Sequence, residues 1–374
     1  MALTRENEGA QSFTAQLRDP GIVVGDLISP YAHGGARFSH PGALDFSANI
    51  NPLGMPKAAA DALRSCADLC EAYPDQGCGA LTAALSDTLG QAPERIVCTA
   101  GATDLIDRIV RVVAPKRGAV MAPCYADYER ALVRTNAAVT RVPLDESRGF
   151  AFDDAAEEGV IAAIDNGADL VFLASPNNPT GICVPPAALR RIVAHAREAR
   201  AVVAADECFR GFTEAPSATV LVDEFSNLIV IDAATKLYAL PGLRLGWGIA
   251  APELARRLRN AGLPWAVSTP AQVAGAAALS DDAYRARTRE LVASERTRLA
   301  RELSARGLRV IDGAANYLLF QGPRGLHGAL LARDIVIRRC SNFSGLDATW
   351  YRVAVRTPDE NGRLLEALDE VIAW

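Results

Sequence analysis

Short apolar runs alternate with amphipathic stretches from about Leu44 to Ala261. Stretches between the runs, such as Ala187–Ala199, have the periodicity of a helix with one buried face. This alternation predicts a mostly parallel sheet covered by helices, an α/β fold. The runs that predict strands most clearly are Arg95–Thr99, Gly118–Ala122, Leu170–Ala174, Ala201–Ala205 and Asn227–Ile231.

The pattern changes after the predicted sheet. Residues Ala271–Arg306 are rich in Ala, Arg and Glu, contain no proline, and predict one or two long helices. The rest of the chain mixes strand and helix patterns, which predicts a smaller α+β domain. Its strands are predicted at Leu308–Ile311, Tyr317–Phe320 and Trp350–Val355, and its helices at Gly325–Arg333 and Glu360–Ile372.

These patterns predict four parts of the chain. Residues 1–44, with several prolines and glycines, are predicted to form an extended arm. Residues 45–265 form the predicted large domain, 266–306 the linking helices, and 307–374 the small C-terminal domain. Part of the arm is expected to complete the small domain.

Composition narrows the possible partners. The 374 residues are half apolar, carry a net charge of −5 and contain no basic block, which argues against nucleic acid as a partner. No signal-peptide core and no apolar run near ~20 residues is present, so we expect no membrane partner. Eight cysteines form no CxxC pair, which favours reduced thiols, a cytoplasmic location and no bound metal.

Candidate chemistry follows the strands, because ligands of parallel sheets bind beyond the carboxyl ends of the strands. After Thr99, the small residues 100–104 open a helical pattern. This arrangement suits an anion at a helix N-terminus, and it equally suits a plain helix cap. After Ala122 comes Tyr125, which either stacks on a planar ligand or packs in the core.

Two further strand ends carry polar groups. The turn 175–181 contains Asn178, which either donates to a ligand oxygen or only shapes the turn. Asp206 ends a buried run, where a carboxylate needs a partner. A protonated pyridine nitrogen is one suitable partner, and an arginine is another.

Lys236 completes the series. It follows the apolar run 228–231 and precedes a Pro/Gly turn that carries Arg244. Most single lysines are solvated surface charges. Apolar flanks, however, lower the pKa of an amine and make it able to form a Schiff base. The ordered set of anion turn, aromatic residue, Asn turn, acid and lysine is far more specific than any member.

In this order, the motifs resemble fold type I pyridoxal 5′-phosphate (PLP) enzymes of the aspartate aminotransferase superfamily, over nearly the whole chain. Within it, the chain is most similar to the L-threonine-O-3-phosphate decarboxylase family of cobalamin biosynthesis, with histidinol-phosphate aminotransferases as near neighbours. Phe209 also fits the decarboxylases, since related aminotransferases usually have a tyrosine there. The resemblance is carried by residues 33–35, 44–54, 235–244, 340–343 and 351–357.

The resemblance implies a role for each candidate in cofactor binding. Lys236 would form the internal aldimine, and Asp206 would pair with the pyridine nitrogen. Asn178 would bind the phenolic oxygen, and Tyr125 would stack on the ring. The catalytic residues would be Lys236, Asp206 and Tyr125. The residues expected around the cofactor phosphate are Gly101, Ala102, Thr103, Thr235 and Arg244.

The resemblance also implies a small anionic amino-acid substrate and a homodimer. Arg338 and Arg352 would bind the anionic groups of the substrate, and His33, Asn49 and Asn178 would line its pocket. Tyr73 would reach the cofactor phosphate of the neighbouring subunit.

Two positions depart from the pattern. Ala233 stands where the family usually has a Ser or Thr on the phosphate, so one hydrogen bond is expected to be missing. The stretch between His33 and Leu44 is shorter than expected, which leaves open whether His33 reaches the site.

Three functions follow from the resemblance. The first is decarboxylation of L-threonine O-3-phosphate to (R)-1-amino-2-propanol O-2-phosphate through aldimine and quinonoid intermediates. The second is transamination of histidinol phosphate, or a related reaction on a phosphonate or another amino acid in specialised metabolism. The third, a non-catalytic PLP-binding regulator, is disfavoured because no DNA-binding extension precedes the arm.

Overall fold

A computed structural model describes residues 33–36 and 38–372. The predicted arm therefore lies largely outside the described residues. Within the described part, the largest sheet has seven strands, and the predicted mostly parallel α/β fold is confirmed. In spatial order the strands are Ile96–Thr99, Gly246–Ala250, Leu228–Ala233, Val202–Asp206, Leu170–Ala174, Arg117–Ala122 and Ala138–Pro143.

Strand direction explains where the polar strand ends meet. The strands from Leu228–Ala233 through Ala138–Pro143 are parallel. Gly246–Ala250 runs antiparallel to both of its neighbours. The carboxyl ends that precede Tyr125, Asn178 and Lys236, and the one that ends at Asp206, therefore lie along one edge of the sheet.

Apolar side chains on both faces of the sheet form the core. Leu170–Ala174 is buried throughout, as expected of a parallel strand covered on both sides. Val171 and Leu173 belong to one cluster, whereas Leu170 and Phe172 belong to the other, because successive side chains point to opposite faces. The helices are Lys57–Arg64, Gly79–Leu89, Ala102–Val113, Ala126–Arg134, Asp154–Asp165, Pro186–Glu198, Ala234–Leu237, Pro252–Asn260, Thr269–Leu279, Asp282–Ala305, Leu326–Leu331 and Pro358–Ile372.

The predicted linking region forms two helices, Thr269–Leu279 and Asp282–Ala305. The second begins after Asp281, whose Oδ1 accepts a hydrogen bond from the Tyr284 backbone N–H at 2.8 Å. This acidic N-cap places the helix start within an otherwise uniform helical pattern.

A second, antiparallel sheet lies in the C-terminal part of the chain. Leu44–Asp45 pairs in parallel with Ile335–Val336, and Phe46 then hydrogen-bonds the backbone of Val336 and Ala354 at 2.8 Å each. The segment after the arm is thus attached to the C-terminal part, although the four predicted domain boundaries stay a prediction. The sheet contains, in spatial order, Arg338–Arg339, Trp350–Ala354, Tyr317–Gln321 and Arg309–Val310.

Across residues 33–36 and 38–372, no helix combines the length and the apolar character needed to cross a bilayer.

Candidate active site

A cavity opens at the carboxyl edge of the parallel strands, and residues of the antiparallel sheet also line it. It brings together twelve of the fourteen residues predicted from the sequence. The other two do not line the cavity: Gly101 lies against Arg244, which does line it, and Tyr73 stacks on Trp265. The predicted residues that line the cavity are His33, Asn49, Ala102, Thr103, Tyr125, Asn178, Asp206, Thr235, Lys236, Arg244, Arg338 and Arg352.

Lys236 stands in the one-turn helix Ala234–Leu237, directly after the buried strand Leu228–Ala233. Its Nζ lies 5.9 Å from the centre of the Phe209 ring. Burial, followed by the positive charge of Arg352, lowers the pKa of Lys236 to about 8. An amine with this pKa has a much larger neutral fraction near physiological pH than an ordinary lysine, so it can act as a nucleophile toward an aldehyde.

This pKa predicts how the apoprotein takes up cofactor. Only the neutral amine attacks an aldehyde, so the rate of cofactor attachment should rise about tenfold per pH unit below about 8 and level off above it. Stopped-flow absorbance after mixing apoprotein with PLP measures this rate. A midpoint near 10.5, the ordinary value for lysine, would contradict the described environment.

Asp206 ends the strand Val202–Asp206 and is buried, with 7% of its surface exposed. Its Oδ2 accepts a hydrogen bond from Tyr128 Oη at 2.7 Å, and its Oδ1 accepts one from the Cys208 backbone N–H at 2.9 Å. Both donors hold the carboxylate at the cavity wall, where it can pair with a protonated ring nitrogen. Tyr128 is fixed in turn by stacking on Phe172, with ring centres 5.0 Å apart.

Replacing Tyr128 with Phe should destabilise the apoprotein more than the holoprotein. The change leaves a buried carboxylate with one donor fewer, which costs about 1.5–3 kcal/mol. A protonated cofactor nitrogen supplies a new partner, so the loss should be smaller in the holoprotein. Denaturant unfolding of both forms measures this difference.

Tyr317→Phe is the matched control for Tyr128→Phe. Tyr317 Oη is buried and donates to the neutral backbone oxygen of Asn177 at 2.7 Å. The control should therefore lower the stability of both forms by a similar amount. Equal losses in both forms for Tyr128→Phe would contradict a link between Tyr128 and the cofactor.

A loop suited to binding an anion lies at the start of the helix Ala102–Val113. Gly101 has a φ of +92°, and a Cβ at this position would lie 2.7 Å from Arg244 Nη2. Glycine is thus required both for the backbone conformation and for the close approach of the guanidinium. The helix N-terminus and Arg244 together favour a phosphate beside Ala102, Thr103 and Thr235.

Ala233 lies in this phosphate region, buried, and lines the same cavity as Thr235. Ala233→Ser should tighten PLP binding by about 0.5–1.5 kcal/mol, because it adds one hydrogen-bond donor toward the phosphate. Titration of the apoprotein with PLP measures the affinity. Ala234→Ser is the control, since Ala234 is buried without lining the cavity. An unchanged or weaker affinity for Ala233→Ser would place the phosphate elsewhere.

The N-terminal His33-Gly-Gly segment reaches the cavity. The Gly35 backbone N–H donates to Ser47 Oγ at 2.8 Å, which holds the segment down. A Cβ on Gly34 would lie 2.1 Å from the Ser47 backbone oxygen, so only glycine fits there. His33 Nε2 lies 3.5 Å from Asp127 Oδ1, and its ring centre is 5.7 Å from that of Tyr125.

Asp127 contacts Tyr125 and Thr103 as well as His33. Its Oδ2 accepts hydrogen bonds from Tyr125 Oη at 2.7 Å and from Thr103 Oγ1 at 3.4 Å. Burial opposes ionisation of Asp127, but the nearby His33 and the hydrogen bond from Tyr125 outweigh it and hold the pKa of the carboxyl below its usual value. The Tyr125 ring is thereby fixed in the cavity wall.

Two arginines line the side of the cavity formed by the antiparallel sheet. Arg338 and Arg352 are directly opposite each other on paired strands, and both are buried. Arg352 donates to Asn178 Oδ1 at 2.5 Å and to the Ser47 backbone oxygen at 2.8 Å. Arg338 donates to Asn342 Oδ1 at 2.8 Å. Burial lowers the pKa of Arg338 to about 10, which still leaves the side chain charged at neutral pH.

The two asparagines present complementary groups. Asn178 Oδ1 is occupied by Arg352, which leaves its amide N–H groups as the donors for a ligand oxygen. Asn49 is 2% exposed, and its Oδ1 has no hydrogen-bond partner among the residues that the structure describes. A buried acceptor without a partner is costly, so this atom marks a place for a ligand donor.

Tyr73 lies outside the cavity of its own chain. It is 80% exposed and stacks on Trp265, with ring centres 4.5 Å apart. Its predicted role across a subunit interface stays a prediction.

Sequence reasoning missed Tyr128 and Asp127 as parts of the site. Both lie on the helix Ala126–Arg134, which begins directly after Tyr125. Tyr128 follows Tyr125 by three residues, a spacing that places two side chains on one helix face. That spacing is the signal that could have indicated a second tyrosine at the site.

A lysine, an acid and a helix N-terminus at one edge of an α/β sheet are typical of enzymes that act through a carbonyl cofactor. The chain matches the family described as aminotransferase class I and II over residues 41–368, and it belongs to that family.

Similar proteins agree with this membership. Threonine-phosphate decarboxylase of Salmonella typhimurium is 35% identical over 335 residues, covering 88% of this chain and 91% of that protein. The histidinol-phosphate aminotransferase structure from Clostridium acetobutylicum has a TM-score of 0.82 and 31% identity, covering 88% of this chain and 98% of that one. The Sinorhizobium meliloti histidinol-phosphate aminotransferase, in complex with PLP, has a TM-score of 0.78 and 25% identity, covering 96% and 98%.

The cofactor is pyridoxal 5′-phosphate. The described residues fit this cofactor. Because Gly101 has no Cβ, the Arg244 guanidinium can lie against the loop at the start of the helix, where the cofactor phosphate would bind. Lys236 would hold the aldehyde carbon, Asp206 the ring nitrogen and Asn178 the phenolic oxygen. The chain is thus a PLP-dependent enzyme of this family.

Proposed function

We propose that the protein decarboxylates a phosphorylated amino acid, converting L-threonine O-3-phosphate to (R)-1-amino-2-propanol O-2-phosphate. The observation that carries the proposal is the pair Arg338 and Arg352, both buried and directly opposite each other in the wall of the cavity that contains Lys236. Two guanidinium groups suit a substrate with two anionic groups.

The arginines bind a phosphate and a carboxylate in a fixed geometry. Arg352 Nε is buried and has no partner among the described residues, so it is available to a substrate oxygen. Planar guanidinium groups bind such oxyanions with paired hydrogen bonds, which fix orientation as well as position. Asn49 Oδ1 accepts from a substrate donor in the same pocket.

Orientation decides which bond at Cα breaks. PLP, when bound, would supply an electron sink for the bond at Cα that breaks. The arginines would hold the substrate carboxylate so that the Cα–carboxylate bond is the one that breaks, with carbon dioxide as the leaving group. Lys236 Nζ returns one proton to Cα, which balances the lost carboxylate. A misplacement of 1 Å in such a site costs up to roughly 10²-fold in rate.

Two features support decarboxylation over transamination. The Salmonella typhimurium relative is named a threonine-phosphate decarboxylase and matches nearly its full length. Phe209 faces Lys236 and packs edge-on against Tyr317. It has no hydroxyl to donate to the cofactor, whereas related aminotransferases usually have a tyrosine at this position. Asn178 is then the side-chain donor that we assign to the phenolic oxygen.

A second candidate is an aminotransferase of the histidinol-phosphate type. It is favoured by the similarity to the Clostridium acetobutylicum structure. Its substrate has an imidazole N–H that would suit Asn49 Oδ1. A related decarboxylase or aminotransferase that acts on a phosphonate is a variant of these two candidates.

Incubation of the holoprotein with L-threonine O-3-phosphate alone tests the proposal. We expect release of carbon dioxide and formation of an amino alcohol phosphate, identified by mass, with no keto acid required. Dependence on 2-oxoglutarate would instead support the aminotransferase. Phosphoserine, histidinol phosphate, a phosphonate analogue and unphosphorylated threonine complete the panel, and turnover of threonine equal to that of its phosphate would contradict the phosphate assignment.

A matched pair of variants tests the role of the arginines. Arg338→Lys should raise KM for threonine phosphate, because it removes the planar, two-pronged donor. Arg339 follows on the same strand and does not line the cavity. Arg339→Lys should therefore leave KM unchanged, and equal effects of the two changes would count against substrate binding by Arg338.

We further propose a homodimer in the cytoplasm, with Tyr73 at the cofactor phosphate of the neighbouring subunit. The exposed stack of Tyr73 and Trp265 supports an interface there, because large exposed aromatic side chains favour burial. Mixing a Tyr73→Ala variant with a Lys236→Ala variant tests this. Hybrid dimers should recover activity, since one site then has both residues intact, and no recovery would contradict the shared site.

A further inference from the structure

An aromatic ring lies against Arg338, one of the two arginines in the wall of the active-site cavity. The guanidinium carbon of Arg338 is 5.4 Å from the centre of the Phe343 ring. A guanidinium within about 6 Å of an aromatic face is attracted by the π electrons, and more strongly where water is excluded. Only 6% of Arg338 and 8% of Phe343 is exposed, so this contact is largely shielded from water.

The turn that follows the strand Arg338–Arg339 brings the ring back to the arginine. The Phe343 backbone N–H donates to the Cys340 oxygen at 3.0 Å, which closes this turn. Phe343 also belongs to the same apolar cluster as Val171 and Leu173 of the seven-stranded sheet. The ring is therefore held by its own turn and by packing, whereas a long arginine side chain loses considerable rotamer freedom when it is ordered.

Hydrogen bonds and the ring restrict different motions of Arg338. Its Nη1 donates to the Arg339 backbone oxygen at 2.6 Å, and its Nη2 donates to Asn342 Oδ1 at 2.8 Å. These bonds fix one edge of the guanidinium but still allow its plane to tilt. The ring lies against the face of the group and opposes that tilt.

The opposite arginine has the same kind of support. Arg352 is paired directly across from Arg338, and its guanidinium carbon lies 5.3 Å from the centre of the Tyr317 ring. Like charges directly opposite each other on paired strands repel. A ring against each guanidinium opposes this repulsion and covers a face of the planar group. An anion then meets the N–H edges, where paired hydrogen bonds form.

We infer that Phe343 is a positioning residue for substrate binding. Its ring holds the Arg338 guanidinium so that the N–H edge is presented to a phosphate or carboxylate in the cavity. Phe343 lines the same cavity but carries no polar group, so it acts on the anion through Arg338. This role rests on the proposed function, in which Arg338 binds an anionic group of the substrate.

Steady-state kinetics of the PLP-loaded protein with L-threonine O-3-phosphate test this role. Phe343→Leu should raise KM roughly 5- to 30-fold, because loss of a desolvated cation–π contact lowers the population of correctly oriented Arg338 by about this factor. The kcat should change by less than about twofold, since a bound anion itself orders the arginine. Phe343→Tyr keeps the ring and should keep KM within about twofold of the wild-type value.

Phe225→Leu is the matched control for Phe343→Leu. Phe225 is buried, lies 5.0 Å from the guanidinium carbon of Arg197 and does not line the cavity. The same atoms are thus removed from beside another arginine, and KM should not change. If Phe343→Leu does not give folded holoprotein, Phe343→Met makes the same comparison, because its flexible side chain fills irregular space. An unchanged KM at position 343, or an equal rise for Phe225→Leu, would overturn the role of Phe343.

A double variant shows whether Phe343 acts through Arg338. Arg338→Met removes the charge and keeps a long side chain. Adding Phe343→Leu to Arg338→Met should therefore raise KM by no more than about twofold beyond Arg338→Met alone, because effects that pass through one residue are not additive. A further rise as large as that caused by Phe343→Leu in the wild-type protein would contradict positioning through Arg338.

Ligand binding separates the role of Phe343 from the proposed reaction. Titration of the holoprotein with L-threonine O-3-phosphate, followed by cofactor absorbance, gives a Kd whether or not carbon dioxide is released. Weaker binding by Phe343→Leu without carbon dioxide release from any form would support the role of Phe343 and contradict decarboxylation. Carbon dioxide release with unchanged KM and Kd in Phe343→Leu would do the reverse, and no binding to the wild-type protein would contradict both.

Discussion

Lys236→Ala should lower turnover by roughly 10⁴-fold, the largest effect expected of any single substitution, because it would remove the amine that we assign both to cofactor attachment and to proton transfer at Cα. The Lys236 amine is poised for both roles, since burial and Arg352 lower its pKa to about 8. Steady-state kinetics with the phosphorylated substrate measure the loss. The absorbance band of covalently attached cofactor should also disappear.

Lys57→Ala is the matched control for this loss. Lys57 is exposed, is ion-paired with Asp61 on the helix Lys57–Arg64 and does not line the cavity, so the same change of side chain and charge occurs outside the site. The control should keep wild-type turnover. If Lys236→Ala kept full turnover, or if both variants lost activity equally, Lys236 would not be the catalytic amine.

Asp206→Asn should lower kcat by roughly 2 × 10²- to 5 × 10³-fold. Removing one partner of a buried charge pair costs about 3–5 kcal/mol, and each 1.36 kcal/mol corresponds to tenfold in rate. Asp206 would supply the negative charge that keeps the ring nitrogen of bound PLP protonated. Its loss would make the ring a weaker electron sink, so the bond at Cα should break more slowly.

Asp232→Asn is a close control for Asp206→Asn. Asp232 lies on the adjacent strand Leu228–Ala233 and does not line the active-site cavity. Burial raises its pKa to about 8, so the carboxyl is mostly protonated at neutral pH and its replacement by Asn changes little charge. Turnover should therefore stay near the wild-type value. A fall as large as that for Asp206→Asn would show that the effect is structural.

The sheet and most of the cavity wall were predictable because parallel strands are buried on both faces. Such strands stand out as unbroken apolar runs, as Leu170–Ala174 does. Parallel pairing then places every strand end at one edge, so Asp206 and Lys236 could be assigned to one site before any contact was known. The antiparallel strand Gly246–Ala250 was less visible, since glycines at two of its five positions weaken the strand pattern.

The hydrogen bonds around the predicted residues could not be derived from the chain. Tyr128 and Asp206 are 78 positions apart, and their contact depends on how the helix Ala126–Arg134 packs on the sheet. The same holds for His33 and Asp127, whose approach depends on Gly34 packing against Ser47. Local patterns determine elements, whereas these contacts depend on packing between distant elements.

The arginines illustrate a further limit. Arg338, Arg339, Arg352 and Arg356 form one dense group in the sequence. Strand alternation separates Arg338 from Arg339, and Arg356 lies beyond the strand that ends at Ala354. Arg338 and Arg352 line the cavity, whereas Arg356 pairs with Glu360. The sequence predicted this choice only through the resemblance, because alternation alone does not say which face of a short strand is the inner one.

Borohydride reduction of the PLP-loaded protein, followed by peptide mapping, tests the central claim most directly. The chain has three lysines, Lys57, Lys116 and Lys236, so the position of the reduced adduct has few alternatives. We expect one equivalent of cofactor per chain, bound covalently at Lys236, and none after the same treatment of Lys236→Ala. An adduct at Lys57 or Lys116 alone, or a loaded protein from which reduction fixes no cofactor, would contradict the assignment of this cavity.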